Sequence, residues 1–175
     1  MLNVLRERHS VRHYEDRDIE PEIIEQLKEA VLRAPSSRGL HPWRFVFVTD
    51  RALLEALSHS KANYAGFVAG ARLAVAICAD ENISDVWIED CAIAGIILQL
   101  AATSLGLGSC WVQIRGRSDA SGQSAEQRVR ETLGLDDELR VDAVISLGYA
   151  RQTRPSVPAE ELHWEQIIEL PGGLT

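Results

Sequence analysis

Fifteen consecutive residues, Cys91 to Leu105, carry no charged side chain. The run reads as a helix that begins near Asp85 or Asp90 and stops at Gly106, the C′ position that glycine favours. Its apolar residues are not confined to one stripe, so no face is left for water. Crossing a bilayer takes about 20 apolar residues. This run is shorter and is interrupted by Gln99, Thr103 and Ser104. Burial is the remaining solution, and a helix apolar on all sides needs a layer on each of them. One layer can be a sheet; the other must be a second surface.

The chain is long enough to supply such a core. With 175 residues it would expose about 8,500 Å² when folded against roughly 28,000 Å² unfolded, so about 70% of its surface can be buried. That fits one domain over residues 1–175. Around the apolar helix, strand and helix signals alternate. Ile19-Glu20-Pro21 opens a helix with proline in its first turn, and Pro35 bounds its end. Trp43–Val48, Leu73–Ala79, Gly108–Val112 and Val141–Leu147 read as strands. Asp50 caps a short helix, and another runs from Ser124 to Gly134. Alternation of this kind argues for helices covering a central sheet, and by itself it suggests parallel strands. Residues 115–123 are polar and glycine-containing and read as a mobile loop. The tail after Gly148, with Pro155, Pro158 and Pro171, has little periodicity and is expected to lie over a surface, such as that of a neighbouring subunit.

Charge excludes some partners. Eighteen Lys and Arg against 26 Asp and Glu give a net charge of −8, which repels a nucleic-acid backbone at long range. Three cysteines, Cys78, Cys91 and Cys110, sit in apolar runs without CxxC spacing. They read as buried, reduced thiols in a reducing compartment. The N-terminus lacks the apolar stretch of a signal peptide, and a cytoplasmic location follows by elimination.

The basic residues are not spread evenly. Arg6, Arg8, His9, Arg12 and His13 surround Ser10. In an extended backbone residues 8, 10 and 12 share a side; in a helix residues 8 and 12 share a face. Either way two guanidinium groups converge near a hydroxyl, a donor set suited to a phosphate dianion. His9 and His13 have the spacing of a helical metal pair, but no carboxylate accompanies them and no metal site is read there. A second candidate is the loop Ala34-Pro35-Ser36-Ser37, whose exposed backbone groups could meet a planar ring. A third is Gly106-Leu107-Gly108-Ser109-Cys110-Trp111. It holds a G-x-G, but it follows a helix and precedes a strand, the reverse of a dinucleotide-binding turn.

Arg8-His9-Ser10-Val11-Arg12-His13-Tyr14, Ala34-Pro35-Ser36-Ser37 with Pro42-Trp43-Arg44-Phe45, Gly106 to Val112, and Leu147-Gly148-Tyr149 occur in the order and spacing of the FMN-dependent nitroreductases, which this sequence resembles from about residue 3 to residue 150. The resemblance implies an α+β, three-layer fold with a mainly antiparallel sheet between helices. It also implies a homodimer with FMN at the subunit interface, the 150–175 tail packing on the partner. By the same resemblance Arg8, Ser10 and Arg12 bind the FMN phosphate and ribityl chain, with His9 beside them. Pro35, Ser36 and Ser37 line the flavin ring from the other subunit. Asn63 meets the pyrimidine edge, and Val112 and Gln113 offer a backbone N–H to flavin N5. Arg115, Arg151 and Arg154 are open alternatives for a further basic contact. The sequence departs from many relatives in having Gly39 and His41 where they carry Asn and Gln. The implied activity is NAD(P)H-dependent reduction of an electron-poor acceptor (a nitroaromatic, quinone or enone) by ping-pong turnover. Reductive dehalogenation, flavin consumption and non-catalytic FMN carriage are the alternatives.

Overall fold

The computed structural model describes residues 1–170; the part of the tail expectation that concerns residues 171–175 lies outside them. Five α-helices and four strands follow in the order α1 (Leu2–Glu7), α2 (Pro21–Leu32), β1 (Trp43–Val48), α3 (Arg51–Ser58), β2 (Leu73–Asp80), α4 (Trp87–Ser104), β3 (Gly108–Gln113), α5 (Ala125–Leu133) and β4 (Leu139–Gly148). The strands form one sheet in the order β1-β2-β4-β3, and every pair is antiparallel. The parallel sheet that alternation alone suggests is therefore replaced by the antiparallel one. Hydrophobic period records which face of a strand is buried, not which way the strand runs.

The layers follow from the pleat. Along β2, Leu73, Val75, Ile77 and Ala79 join the core beneath α2 and α4. The intervening Ala74, Ala76 and Cys78 join a second core beneath α3 and α5. Alternate side chains on a strand point to opposite faces, so a strand apolar at every position sits in the middle of three layers. Leu27, Ile77, Leu98 and Ile145 are fully enclosed, each worth roughly 1.5–3 kcal/mol of transfer free energy.

The apolar run forms α4 as expected, with Leu105 as its cap and Gly106 at φ 79° just beyond. Cys91, Ala94, Leu98 and Ala102 face the sheet, whereas Ile93 and Ile96 are about 40% exposed. Asp50 caps α3 by accepting from Leu53 N–H at 2.9 Å. All three cysteines are free and buried, and burial pushes the Cys78 thiol up to about 12.

Between Ile77 and Cys78 the β2–β4 register shifts by one residue on the β4 side, at Asp142. This bulge has a consequence for β3. The Asp142 carbonyl accepts from Ile114 N–H (3.1 Å) and Arg115 N–H (3.0 Å), which ends the strand and turns the chain away after Gln113.

Candidate functional site

The basic segment at the N-terminus is extended, since α1 ends at Glu7. It lies as a strap across the ends of β3 and β4. Ser10 bridges Ser109 in parallel register, and Val11 N–H donates to Ser109 O at 2.9 Å. Farther along, Glu15 N–H donates to Tyr149 O at 2.8 Å. Tyr14 is buried, and its hydroxyl donates to Val11 O (2.7 Å) and hydrogen-bonds Ser146 Oγ (2.7 Å). Burial pushes this phenol well above its ordinary range.

Two glycines make the close approach possible. A Cβ on Gly108 would lie 2.6–2.8 Å from three side-chain atoms of Val11, and one on Gly148 would lie 2.9 Å from Tyr14 Cδ1. The Gly-x-Gly and Leu-Gly-Tyr motifs are thus seats for Val11 and Tyr14. With those two side chains turned inward, Ser10 and Arg12 turn outward.

Two clefts open beside the strap. The smaller, of about 90 Å³, is lined by His9, Ser10, Arg12, His13, Gln152 and Arg154. The larger, of about 510 Å³, is walled by Arg12, Lys61, Tyr64, Phe67, Trp111 and Gln113. Arg12 belongs to both, with its guanidinium 5.8 Å from the centre of the Phe67 ring. Among the described residues Arg12, Lys61 and Arg154 make no salt bridge. Desolvation, followed by the nearby Arg117 charge, lowers the Lys61 pKa. Unpaired cations beside an aromatic cleft, in a chain of net charge −8, form a donor set for an anionic aromatic ligand.

The floor of the larger cleft is the free edge of β3. Ser109 turns its carbonyl outward to the strap, and by the two-residue alternation of a strand Trp111 and Gln113 present their backbone groups to the same open edge. The Val112 side chain is buried in the opposite core, with Ile114 and Val144.

The remaining sequence candidates lie in three places. Arg8 caps α1, half-buried, and lines neither cleft. Asn63 is exposed in an adjoining cleft of about 370 Å³ that shares Lys61 and Tyr64. Pro35, Ser36 and Ser37 sit before β1, with β2 and β4 between that strand and β3, roughly 14 Å away across the sheet. Within one chain they do not meet the strap. Their loop is nonetheless rigidly built. Ser36 Oγ accepts from His41 N–H at 2.9 Å. Ser37 N–H donates to Asp90 Oδ1 at 2.8 Å, and Asp90 Oδ2 accepts from Ser84 at 3.0 Å. Arg38 pairs with Asp85. Arg38 and His41 take left-handed φ values of 54° and 49°, a strain that side-chain-bearing residues rarely carry without purpose.

Of the three basic alternatives, Arg154 reaches the small cleft. Arg115 faces the Asp142 carboxylate at 3.4 Å, and Arg151 is fixed through its backbone to His13 O. Residues 115–123, expected to be mobile, fold around one carboxylate. Asp119 accepts from Ser121 N–H, Ser121 Oγ, Gln123 N–H and Arg128 at 2.7–3.1 Å, and these donors, the Ser121 hydroxyl first, lower its pKa to about 2. Lys61, Tyr64, Phe67 and Trp111 escaped the sequence reading as cleft residues. The loop carrying the first three has no periodicity; its one signal is a lone lysine near Asn63.

The family model described as the nitroreductase family matches residues 5–65 and 55–149. A protein of Archaeoglobus fulgidus named "Putative NADH dehydrogenase/NAD(P)H nitroreductase" is 33% identical over 164 residues, covering 91% of each chain. The solved structure of an FMN-dependent nitroreductase from Clostridium difficile R20291 superimposes with a TM-score of 0.94 at 36% identity, covering 97% of this chain and 98% of the other. A "Putative NADH dehydrogenase/NAD(P)H nitroreductase" structure from Parabacteroides distasonis gives a TM-score of 0.86 at 34% identity, with 96% of both chains covered.

Proposed function

The chain belongs to the nitroreductase family, and on that premise we propose that it is an FMN-dependent NAD(P)H oxidoreductase acting on small electron-poor acceptors such as nitroaromatics, quinones or enones. The observation that carries the reading is a pair of clefts that share Arg12: a small one with serine, histidine and two arginines, and a larger one walled by aromatics, a lysine and a free strand edge. The first suits a phosphate and the second a planar ring. FMN, when bound, supplies the two-electron carrier between reduced nicotinamide and acceptor.

The residues divide the work. Arg12, Ser10 and Arg154 hold the phosphate, with His9 beside them, and Arg8 adds positive charge from the end of α1. Gln113 would offer its outward backbone N–H to a nitrogen of the flavin ring. Arg12 and Lys61 place positive charge on the cleft wall, where it favours the electron-rich, reduced state. Val112 contributes through its place in the strand. Asn63 borders the cleft from the adjoining loop and serves a polar ring edge. Donor and acceptor use one cleft in turn, which gives ping-pong kinetics. The three reduced thiols and the acidic surface accord with a cytoplasmic location.

The second subunit belongs to the same reading. Leu2 and Leu5 of α1 and Ile93 and Ile96 of α4 are exposed on two helices that touch, and a partner's equal face would cover them. Pro35, Ser36 and Ser37 then line the ring from across the interface. The tail carries Val157, Leu162, Trp164, Ile167 and Ile168, all exposed. The unpaired edge of β1 borders an apolar groove of about 500 Å³ with Val31, Leu32, Trp43, Phe45 and Phe47. The partner's tail laid on this groove would cover both.

Anaerobic titration tests the activity. The purified protein is expected to be yellow, to bleach with NADH or NADPH, and to recover its colour on adding a nitroarene or quinone. A colourless protein that ignores added FMN overturns the reading. Arg12→Ala is expected to weaken FMN binding about tenfold to a hundredfold, the loss of one charge-assisted contact. Arg8→Ala is expected to cost less, because Arg8 lines neither cleft.

A further inference from the structure

Trp111 packs against the core beneath α4 and walls the larger cleft. Its indole is held from two sides. Nε1–H donates to Gln113 Oε1 at 3.0 Å, and Gln113 Nε2 donates onward to Arg115 O at 3.1 Å. The amide therefore cannot turn without losing a hydrogen bond. On its other side the ring presses into α4 at Gly95. A Cβ there would overlap Trp111 Cζ3 and would lie 3.3 Å from Cη2 and 3.1 Å from Ile77 Cδ1.

Gly95 is otherwise unexplained. It is buried in the interior of an 18-residue helix rich in Ala, Ile and Leu, where glycine is about 1 kcal/mol worse than alanine. It makes no turn, and its φ is not among the positive ones. Room for the indole accounts for it.

We infer that Gly95, which lies outside the cleft wall, is a positioning residue for FMN: by letting the Trp111 ring sink into α4, it sets the width of the cleft. The inference rests on the reading of that cleft as the flavin site. A methyl group at position 95 pushes the indole outward, because Ile77 closes the way deeper and Gln113 restrains the swing. Any planar ligand lying against that wall then loses its fit.

Four forms of the full chain decide the matter: wild type, Gly95→Ala, Trp111→Phe and the double variant. FMN affinity is measured by flavin fluorescence, and thermal unfolding and indole N–H NMR spectra are recorded. Gly95→Ala is expected to fold and to melt at or a few degrees below the wild type, since the helix gain from alanine offsets only part of the overpacking against Trp111 and Ile77. Its FMN affinity should fall about tenfold or more, the scale of an overpacked site. The smaller phenyl ring of Trp111→Phe lacks the indole atoms that meet position 95, so adding Gly95→Ala to Trp111→Phe should cost little further affinity. A residue acting only on fold stability would lower the melting temperature of Gly95→Ala without lowering the FMN affinity of the folded protein. Wild-type affinity in Gly95→Ala, or a double variant that loses as much relative to Trp111→Phe as Gly95→Ala loses relative to wild type, overturns the inference.

If Gly95→Ala does not fold, the double variant decides. Binding equal to that of Trp111→Phe supports the inference; binding weaker than that, or failure to fold, overturns it. If the wild type itself binds no FMN, the functional reading fails separately. The Trp111 indole resonance, identified by its loss in Trp111→Phe, then decides the packing claim: a shift in Gly95→Ala supports it and an unmoved signal overturns it.

Discussion

The two edges of the sheet are finished in opposite ways. At β3 the chain covers the start of its own edge and leaves Trp111 and Gln113 open: the strap docks on Ser109, Tyr14 locks it to Ser146, and loop 115–123 is fastened around Asp119. At β1 nothing within the described residues pairs with the outer side of the strand, Phe45 and Phe47 remain half-exposed, and residues 155–170 stand in solvent. An open apolar edge invites another chain. The contrast teaches where each half of the site comes from. On the proposed reading, the edge that carries the strap supplies the phosphate-binding residues, and the β1 side, where Ser36 and Ser37 precede the strand, would complete a partner's cleft.

The largest test breaks this contrast at its open side. Ending the chain after Arg154 is expected to abolish the stable dimer in light scattering, with exposed apolar surface and loss of bound FMN. A truncated dimer that keeps its flavin removes the tail from the interface. Next in size is Gly108→Ala, which drives a methyl group into Val11. It should cost about 1–3 kcal/mol in denaturant unfolding and weaken FMN binding, since Ser10 and Arg12 ride on the strap. Tyr14→Phe should cost about 1 kcal/mol, because Ser146 Oγ keeps its bond to Cys110 O; no change would show that the Tyr14 hydroxyl adds nothing to the strap's hold.

The smallest effect depends on acid. Asp119 has a folded pKa of about 2 against an unfolded value of about 3.9. A depressed carboxylate stabilises the fold above its unfolded pKa and loses that contribution as pH falls toward its folded one. The stability gap between wild type and Asp119→Asn should therefore be full above about pH 5 and close toward pH 2. A gap independent of pH over that range would assign the loop's order to its backbone and not to the charge.

Much of the scaffold was legible in residue order because local chemistry set it. Trp43–Val48 begins and ends as the aromatic and β-branched run does, Asp50 caps its helix, and Gly106 ends α4. The antiparallel sense was not legible from pattern; it entered through the family resemblance. The strap's direction was open between helix and strand until Ser10 met Ser109, a contact nearly a hundred residues away. Glycines 95, 108 and 148 look alike in a sequence. Only the neighbours across the fold, Trp111, Val11 and Tyr14, tell that each makes room for a particular ring or branch. Lys61, Tyr64 and Phe67 were hidden because an aperiodic loop reveals nothing of what it borders.

The strap has a consequence for synthesis. Tyr14 leaves the ribosome early, yet its anchor Ser146 lies 132 residues later. Contacts so distant in sequence form late, and α1 and the following arginines must wait, undocked, until β4 has emerged. A growing chain short of β4 therefore cannot dock the strap, and Ser10 and Arg12 are not held beside β3 until that strand has emerged.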